Sequence, residues 1–505
     1  MRAVAGKLRA RICSTWTLAP IALIAAIAVA LASGGTAAPA ASTASPAAKA
    51  SDHPNIVFVL TDDLSSNLLK YMPNVGDMRK QGETFSRYFV TDSLCCPSRS
   101  SIFSGRLPHN TGVFTNTPPD GGFSVFHDRG EESDTFATAI SGVPGADYQT
   151  AMMGKYLNGY QPSSLYVPPG WSEWDVAGNA YSEFSYNLNE NGHLVAYGDS
   201  PGDYLTDVLA DKGVGFINRA TKAGDPFLLE IATFAPHAPY TPAPRDAKDF
   251  PGLKVPRTPA FNAKNANPPA WLAGRPPLTP GQIAKLNGHF RKRAQAVEAV
   301  DDMIGRIETT LRKRGVARNT YLVFSSDNGY HMGDHRLMQG KMTAFDTDIG
   351  VPLIVVGPGV PAGRAVGKLT GNIDLRPTFS QLAGAGVPSS VDGHSLDGLL
   401  HGTGGGSWRD ATLIEHHGRD EDQSDPDFQS LASGNPTSYE AIRIRDAVYV
   451  EYKNGDREYY DLVRDPYELD NTYADLSPGQ QARLHDMLAK LEGCGGQDCW
   501  VTAGG

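Results

Sequence analysis

The chain has 505 residues, with 45 basic and 55 acidic side chains, a net charge of −10 and 40% hydrophobic residues. Interspersed charges of that balance argue against a nucleic-acid surface, and nothing after the first residues approaches the length of a membrane span. The first 40 residues read as a signal peptide. Arg2, Lys7, Arg9 and Arg11 make a basic start, residues 18–32 an uncharged apolar run, and Thr36-Ala37-Ala38-Pro39-Ala40 a small-residue cleavage zone. Residues 41–52, rich in Ala, Ser and Pro, follow as a flexible leader. The expected product is secreted, without stable membrane insertion, and keeps about 455 residues, enough for a large core and a smaller unit.

Residues 55–60 form a buried-type strand, apolar without alternation, that runs into Thr61-Asp62-Asp63. A helix over 75–80 stops at Gly82. At Cys95-Cys96-Pro97-Ser98-Arg99, Pro97 suits a first helical turn and residues 98–105 continue it. Cys95 then sits where free N–H groups and the helix dipole favour an anion. From the residues alone, a reactive low-pKa thiol and a pair of buried small residues are equally open.

Strands follow at 227–232, 321–324 and 352–356, the second ending in Ser325-Ser326-Asp327-Asn328-Gly329. A helix over 291–314 carries Val297, Val300, Ile304, Ile307 and Leu311 as its apolar stripe and stops at Gly315. Residues 160–200 and 240–280 read as long ordered loops at the rim of a site. Trp171 in the first of them suits either a sugar pocket or a loop core. The Gly-rich run 401–406 separates an expected main domain, 53–400, from a C-terminal one, 407–505. In the latter, strands at 441–452 and 458–462 are joined through Asn454-Gly455, and a helix covers 478–491. Helices alternating with buried strands give the fold class, α/β.

Of five cysteines, Cys13 leaves with the leader, and Cys494 and Cys499 are spaced to close a small disulfide loop in an oxidising compartment. Asp62 and Asp63 end one strand, Asp327 and Asn328 another. Either pair alone is more often a solvated turn. Together, at the carboxyl ends of strands, they make a hard, all-oxygen set suited to Ca²⁺ or Mg²⁺.

The Cys95-x-Pro97-Ser98-Arg99 run closing on Gly105-Arg106, with Gly154-Lys155, Pro236-His237-Ala238-Pro239, Asp327-Asn328-Gly329 and Lys341 in that order, resembles the type I, formylglycine-dependent sulfatases from about residue 54 to 475. Ser93-Leu94 before the cysteines and Tyr156-Leu157-Asn158 after the lysine are similar to the N-acetylglucosamine-6-sulfatase branch. The resemblance implies an alkaline-phosphatase-like sandwich, with a large mostly parallel central sheet flanked by helices and a small C-terminal α+β subdomain.

It further implies that Cys95 is oxidised to formylglycine by a formylglycine-generating enzyme during export, and that its hydrate attacks a sulfate ester, a carbohydrate 6-sulfate or an aryl sulfate. Asp62, Asp63, Asp327, Asn328 and modified Cys95 match the ligands of a Ca²⁺, with Mg²⁺ as the alternative. Arg99 matches the residue that holds the hydrate. Lys155, His237 and Lys341 match the groups that bind sulfate and protonate the leaving oxygen.

One position departs from the pattern. Where many arylsulfatases carry a histidine two residues past the signature lysine, this chain has Leu157, followed by Asn158. The expected substitute base is His331, beside the metal loop, with His335 and His109 as weaker candidates; Asn158 and His335 are expected on the substrate side. The rival readings are a general arylsulfatase, a phosphonate monoester or phosphodiester hydrolase of the same superfamily, and a non-catalytic exported glycan-binding protein.

Overall fold

The computed structural model describes residues 53–404, 406–423 and 425–500; the expected signal peptide and leader, with Cys13, lie outside them. A ten-stranded sheet runs in the order 364–366, 83–85, 353–356, 320–326, 55–61, 227–232, 149–155, 173–177, 187–190 and 193–196. The five strands from 320–326 to 173–177 are mutually parallel, while Leu353–Val356 and the edge hairpin Asn187–Glu190/His193–Ala196 run antiparallel to their neighbours. The fold is the expected α/β sandwich, with a large central sheet flanked by helices and a smaller, β-rich C-terminal unit.

The lack of alternation in the central strands follows from burial on both faces. Ile56, Phe58 and Leu60 pack into one apolar cluster with residues of the helices Cys95–Ser104, Phe136–Ser141 and Leu375–Ala383. Val57 and Val59 pack into another with Pro73–Gln81, Leu205–Ala223 and Pro280–Lys313. That last helix begins eleven residues before the expected 291, because Thr279 caps it through the Gln282 N–H and Pro280 occupies its first turn. The expected loop 160–200 contributes three strands to the main sheet; half-polar edge strands such as Asn-Leu-Asn-Glu lack the apolar run that marks the centre. Residues 241–279 form no helix or strand longer than a single bridge.

The C-terminal unit is a four-stranded antiparallel meander, Ala411–His416, Tyr439–Ile444, Ala447–Tyr452 and Arg457–Asp461. The stretch expected as one strand over 441–452 is two, folded back at Arg445-Asp446, and the turn through Asn454-Gly455 joins the next pair as expected. Leu488 and Leu491 of the helix Pro478–Glu492 cover Leu413, Ile442 and Tyr449. Cys494 and Cys499 form a disulfide. Among the described residues no helix is long and apolar enough to cross a membrane.

Candidate active site

Four neighbouring parallel strands end on one side of the sheet, and each delivers chemistry there. Thr320–Ser326 is followed by Asp327 and Asn328, and Asn55–Thr61 by Asp62 and Asp63. Phe227–Ala232 leads to His237, and Gln149–Lys155 ends on Lys155 itself. The Gly-Lys pair has a steric reason. Gly154 has φ of +97°, and a Cβ there would lie 2.0 Å from the Ala232 carbonyl oxygen of the adjacent strand.

The helix Cys95–Ser104 brings the cysteine in from above. Its first turn opens with Cys95 and contains Pro97, its first backbone bond runs from the Ser98 N–H to the Leu94 carbonyl, and Gly105, at φ +70°, closes it. Cys95 is fully buried. Ligand atoms of Asp62, Asp63, Asp327 and Cys95 all lie within 4.8 Å of one another. Asn328 adds a buried Oδ1 with no hydrogen-bond partner among the described residues, while its Nδ2 donates to Asp63 at 2.7 Å. Three buried carboxylates and an orphaned amide oxygen are a donor set that could hold a hard cation.

Four cations surround that set. Arg99 Nε donates to Asp327 Oδ2 at 2.8 Å and Nη1 to the Lys155 carbonyl, leaving Nη2 buried and without a partner among the described residues. Lys155 Nζ donates to Asp62 Oδ2 at 2.6 Å. Lys341 Nζ donates to Asp63 Oδ1 at 2.6 Å and lies 3.0 Å from Cys95 Sγ. His237 directs Nδ1 at the Ala238 carbonyl and Nε2 at the Asp427 carboxylate, 2.6 Å away. With two acceptors, both nitrogens donate and the ring is an imidazolium. Burial opposes that charge, but Asp63, Asp427 and Asp62 outweigh it and bring the pKa up to about 9. Burial and then the charges of Asp327, Asp427 and Asp62 push the Cys95 thiol well above its ordinary value.

The structure also places residues that the sequence did not single out. Asp427 reaches in from the C-terminal unit. Asn116 Nδ2 donates to its Oδ2 at 2.8 Å, and Asn116 Oδ1 accepts from the Cys96 N–H. Asn158, which the sequence did place on the substrate side, donates from Nδ2 to Asp427 Oδ2 at 3.1 Å and to the Tyr181 hydroxyl. Tyr181 packs against the His237 ring at 4.4 Å and under Lys155 Nζ at 5.0 Å. Trp171, by contrast, packs against Phe136 and Trp174 in the core.

Three expected histidines do not join this group. His331 faces the Asp348 carboxylate with Nδ1 and the Ser433 carbonyl with Nε2, at 2.9 and 2.8 Å, so it too donates twice and has no free lone pair to act as a base. His335 bonds Asn265, stacks on Phe345 at 3.9 Å and is held neutral by burial, its pKa down at about 3. His109 bonds Glu415 and the Cys494 carbonyl.

The sulfatase family model matches residues 54–385, and that of the N-sulphoglucosamine sulphohydrolase C-terminal region matches residues 333–493. An N-acetylglucosamine-6-sulfatase of Capra hircus is 34% identical over 485 residues, spanning 90% of this chain and 86% of that protein. An arylsulfatase of Volvox carteri is 32% identical over 504 residues, spanning 90% and 76%. A protein solved in complex with its substrate D-glucosamine-2-N,6-O-disulfate superposes with a TM-score of 0.73 at 23% identity, covering 87% of this chain and 97% of that one.

Proposed function

The chain belongs to the sulfatase family, and from that premise we propose that it is an exported hydrolase of carbohydrate 6-sulfates such as N-acetylglucosamine 6-sulfate. The observation that carries this reading is the placement of Cys95 among three buried carboxylates, with Lys155, His237 and Lys341 on the same few ångströms. The sugar 6-sulfate preference is supported by the kinship with N-acetylglucosamine-6-sulfatases over nine-tenths of the chain and by Leu157 in the position where many arylsulfatases carry histidine. The basic, apolar and small-residue order of the first 40 residues supports export.

Asp62, Asp63, Asp327 and Asn328 would hold the divalent cation, Ca²⁺ by the number and hardness of the oxygens, and it would supply positive charge beside the reacting sulfate. Cys95, converted to formylglycine by a generating enzyme, would supply a hydroxyl nucleophile in its hydrated form. The other roles belong to side chains in hand. Arg99, pinned to Asp327, keeps a buried guanidinium nitrogen without a protein partner, a donor for an oxygen on residue 95. Lys155 and Lys341 neutralise charge developing on the sulfate oxygens. His237 holds an imidazolium proton at Nε2, in place to pass to the sugar oxygen as the S–O ester bond breaks. Asn158 donates from the substrate side.

A panel of glycan 6-sulfates, glycan 2-sulfates and aryl sulfates tests the assignment, with 6-sulfates expected to show the highest kcat/KM. Cys95→Ala should lose at least about a thousandfold in rate, as loss of a nucleophile does; full activity in that variant would sink the mechanism. The Cys95 peptide should weigh about 18 Da less than its thiol form, or the same when the aldehyde is hydrated. An untouched thiol in active enzyme contradicts the modification.

A further inference from the structure

Resting on that sulfate-hydrolase reading, we infer that residues 425–433 form a displaceable plug in which the Asp427 carboxylate holds the place of the substrate's sulfate. Its partners are the groups assigned above to the substrate. Oδ1 accepts from Lys341 Nζ and His237 Nε2, each at 2.6 Å. Oδ2 accepts from Asn116 at 2.8 Å and Asn158 at 3.1 Å. Cys95 Sγ lies 3.8 Å from Oδ1, so the carboxylate stands directly against residue 95. A sulfate monoester presents the same single negative charge on oxygens that accept from the same donors.

Space argues the same way. Cys95 and Lys341 are fully buried and Asp427 is 1% exposed, so an ester that reaches these donors must displace the carboxylate.

The segment is anchored at one end and reaches the catalytic groups through one side chain. Its attachments lie toward its C-terminal end: Asn435 Nδ2 to the Gln429 carbonyl, Arg275 to that of Leu431, the Met338 N–H to that of Ala432, and His331 Nε2 to that of Ser433. Residues 425–428 bond one another: the Asp427 N–H donates to Asp425 Oδ1 and the Phe428 N–H to the Asp425 carbonyl. The Asp425 N–H also donates to the Asp422 carbonyl and Gln429 Nε2 to the Asp427 carbonyl, and the Asp427 side chain makes the bonds to Lys341, His237, Asn116 and Asn158. A tethered carboxylate competes as an intramolecular ligand, so apparent affinity for substrate falls by the fraction of molecules whose plug is in.

Steady-state kinetics and calorimetry on Asp427→Asn, with inorganic sulfate as the probe, test this. Removing the charge should lower KM for both an aryl sulfate and N-acetylglucosamine 6-sulfate about tenfold or more and tighten inorganic sulfate by a similar factor, as expected when a competing state is deleted. Amide exchange over 425–433 in the wild type should quicken when sulfate is added. Unchanged or weaker sulfate binding by Asp427→Asn overturns the plug, and so does a lost kcat at constant KM, which would place Asp427 in the chemistry itself. Asn435→Ala, which cuts an anchor outside the catalytic groups, should shift KM and sulfate affinity the same way by a smaller factor. If it moves neither them nor the exchange, the inference fails by a route independent of the charge. A wild-type protein that binds sulfate with faster exchange at 425–433 yet cleaves no sulfate ester would defeat the functional reading while sustaining the plug.

Discussion

Whether a buried ionisable side chain here is charged follows from what its polar atoms meet. His237, His331 and His109 each face two acceptors and are cations, while His335, between an amide oxygen and a phenyl ring, is neutral. Glu230 is the converse case. It lies fully buried in the strand Phe227–Ala232, both oxygens have no partner among the described residues, and burial, opposed by Arg99, pushes its pKa up to about 8. The folded state then keeps a proton that the unfolded chain releases, so stability falls as pH rises from about 4.5 to about 8. Glu230→Gln should therefore gain stability at pH 8, on the order of 2 kcal/mol, and little at pH 4.5. Equal shifts in Tm at the two pH values would contradict the burial argument. The same contrast decides which site residues the sequence discloses. Cys95, Arg99, Asp327 and His237 stand in motifs whose spacing the chemistry dictates. Asp427 is one of five acids within residues 420–427, and Asn116 and Tyr181 lie in polar stretches without period. Nothing local distinguishes them from solvated side chains.

Among the elements, those with a strong one-dimensional signal appear where expected. The central strands are apolar on both faces, and the helix Pro478–Glu492 has its Ser477 cap. The expectation fails where pairing decides. The strand Gln149–Lys155 is sustained by parallel neighbours on both sides, and the turn at Arg445-Asp446 that splits 441–452 carries no glycine or asparagine. Elements also meet through single side chains. His109, in the short helix Pro108–Thr111, ties the strand Ala411–His416 through Glu415 and the disulfide loop through the Cys494 carbonyl. Burial opposes its charge, but Glu415 outweighs it and raises the pKa to about 9. That tie is complete below about pH 6.5 and is lost as pH rises through about 9. His109→Ala should cost on the order of 2 kcal/mol at pH 6 and progressively less toward pH 10, read from urea midpoints. A pH-independent cost would assign the residue to packing alone.

On the scale of the whole molecule, the metal cluster lies where the sheet, the cysteine helix and the C-terminal unit converge. A cation bound only by the folded chain stabilises it by mass action, about 2.7 kcal/mol at a hundred times its Kd. Ca²⁺ should raise Tm in a saturable way and a chelator should reverse it, with the effect lost in Asp63→Asn; no shift at millimolar Ca²⁺ would remove the cation from this site. Such convergence leaves its mark on maturation. Cys95 has no exposed surface, and the groups that enclose it include Asp327, Lys341 and Asp427, which enter the chain more than two hundred residues later. As the polypeptide emerges, the thiol has sheet neighbours missing and its enclosure unbuilt; once residues 327–427 dock, an external catalyst has no approach to it. On the formylglycine mechanism proposed above, folding would act as a timer on the oxidation of Cys95, and a molecule that closed early would be sealed with its nucleophile unmade.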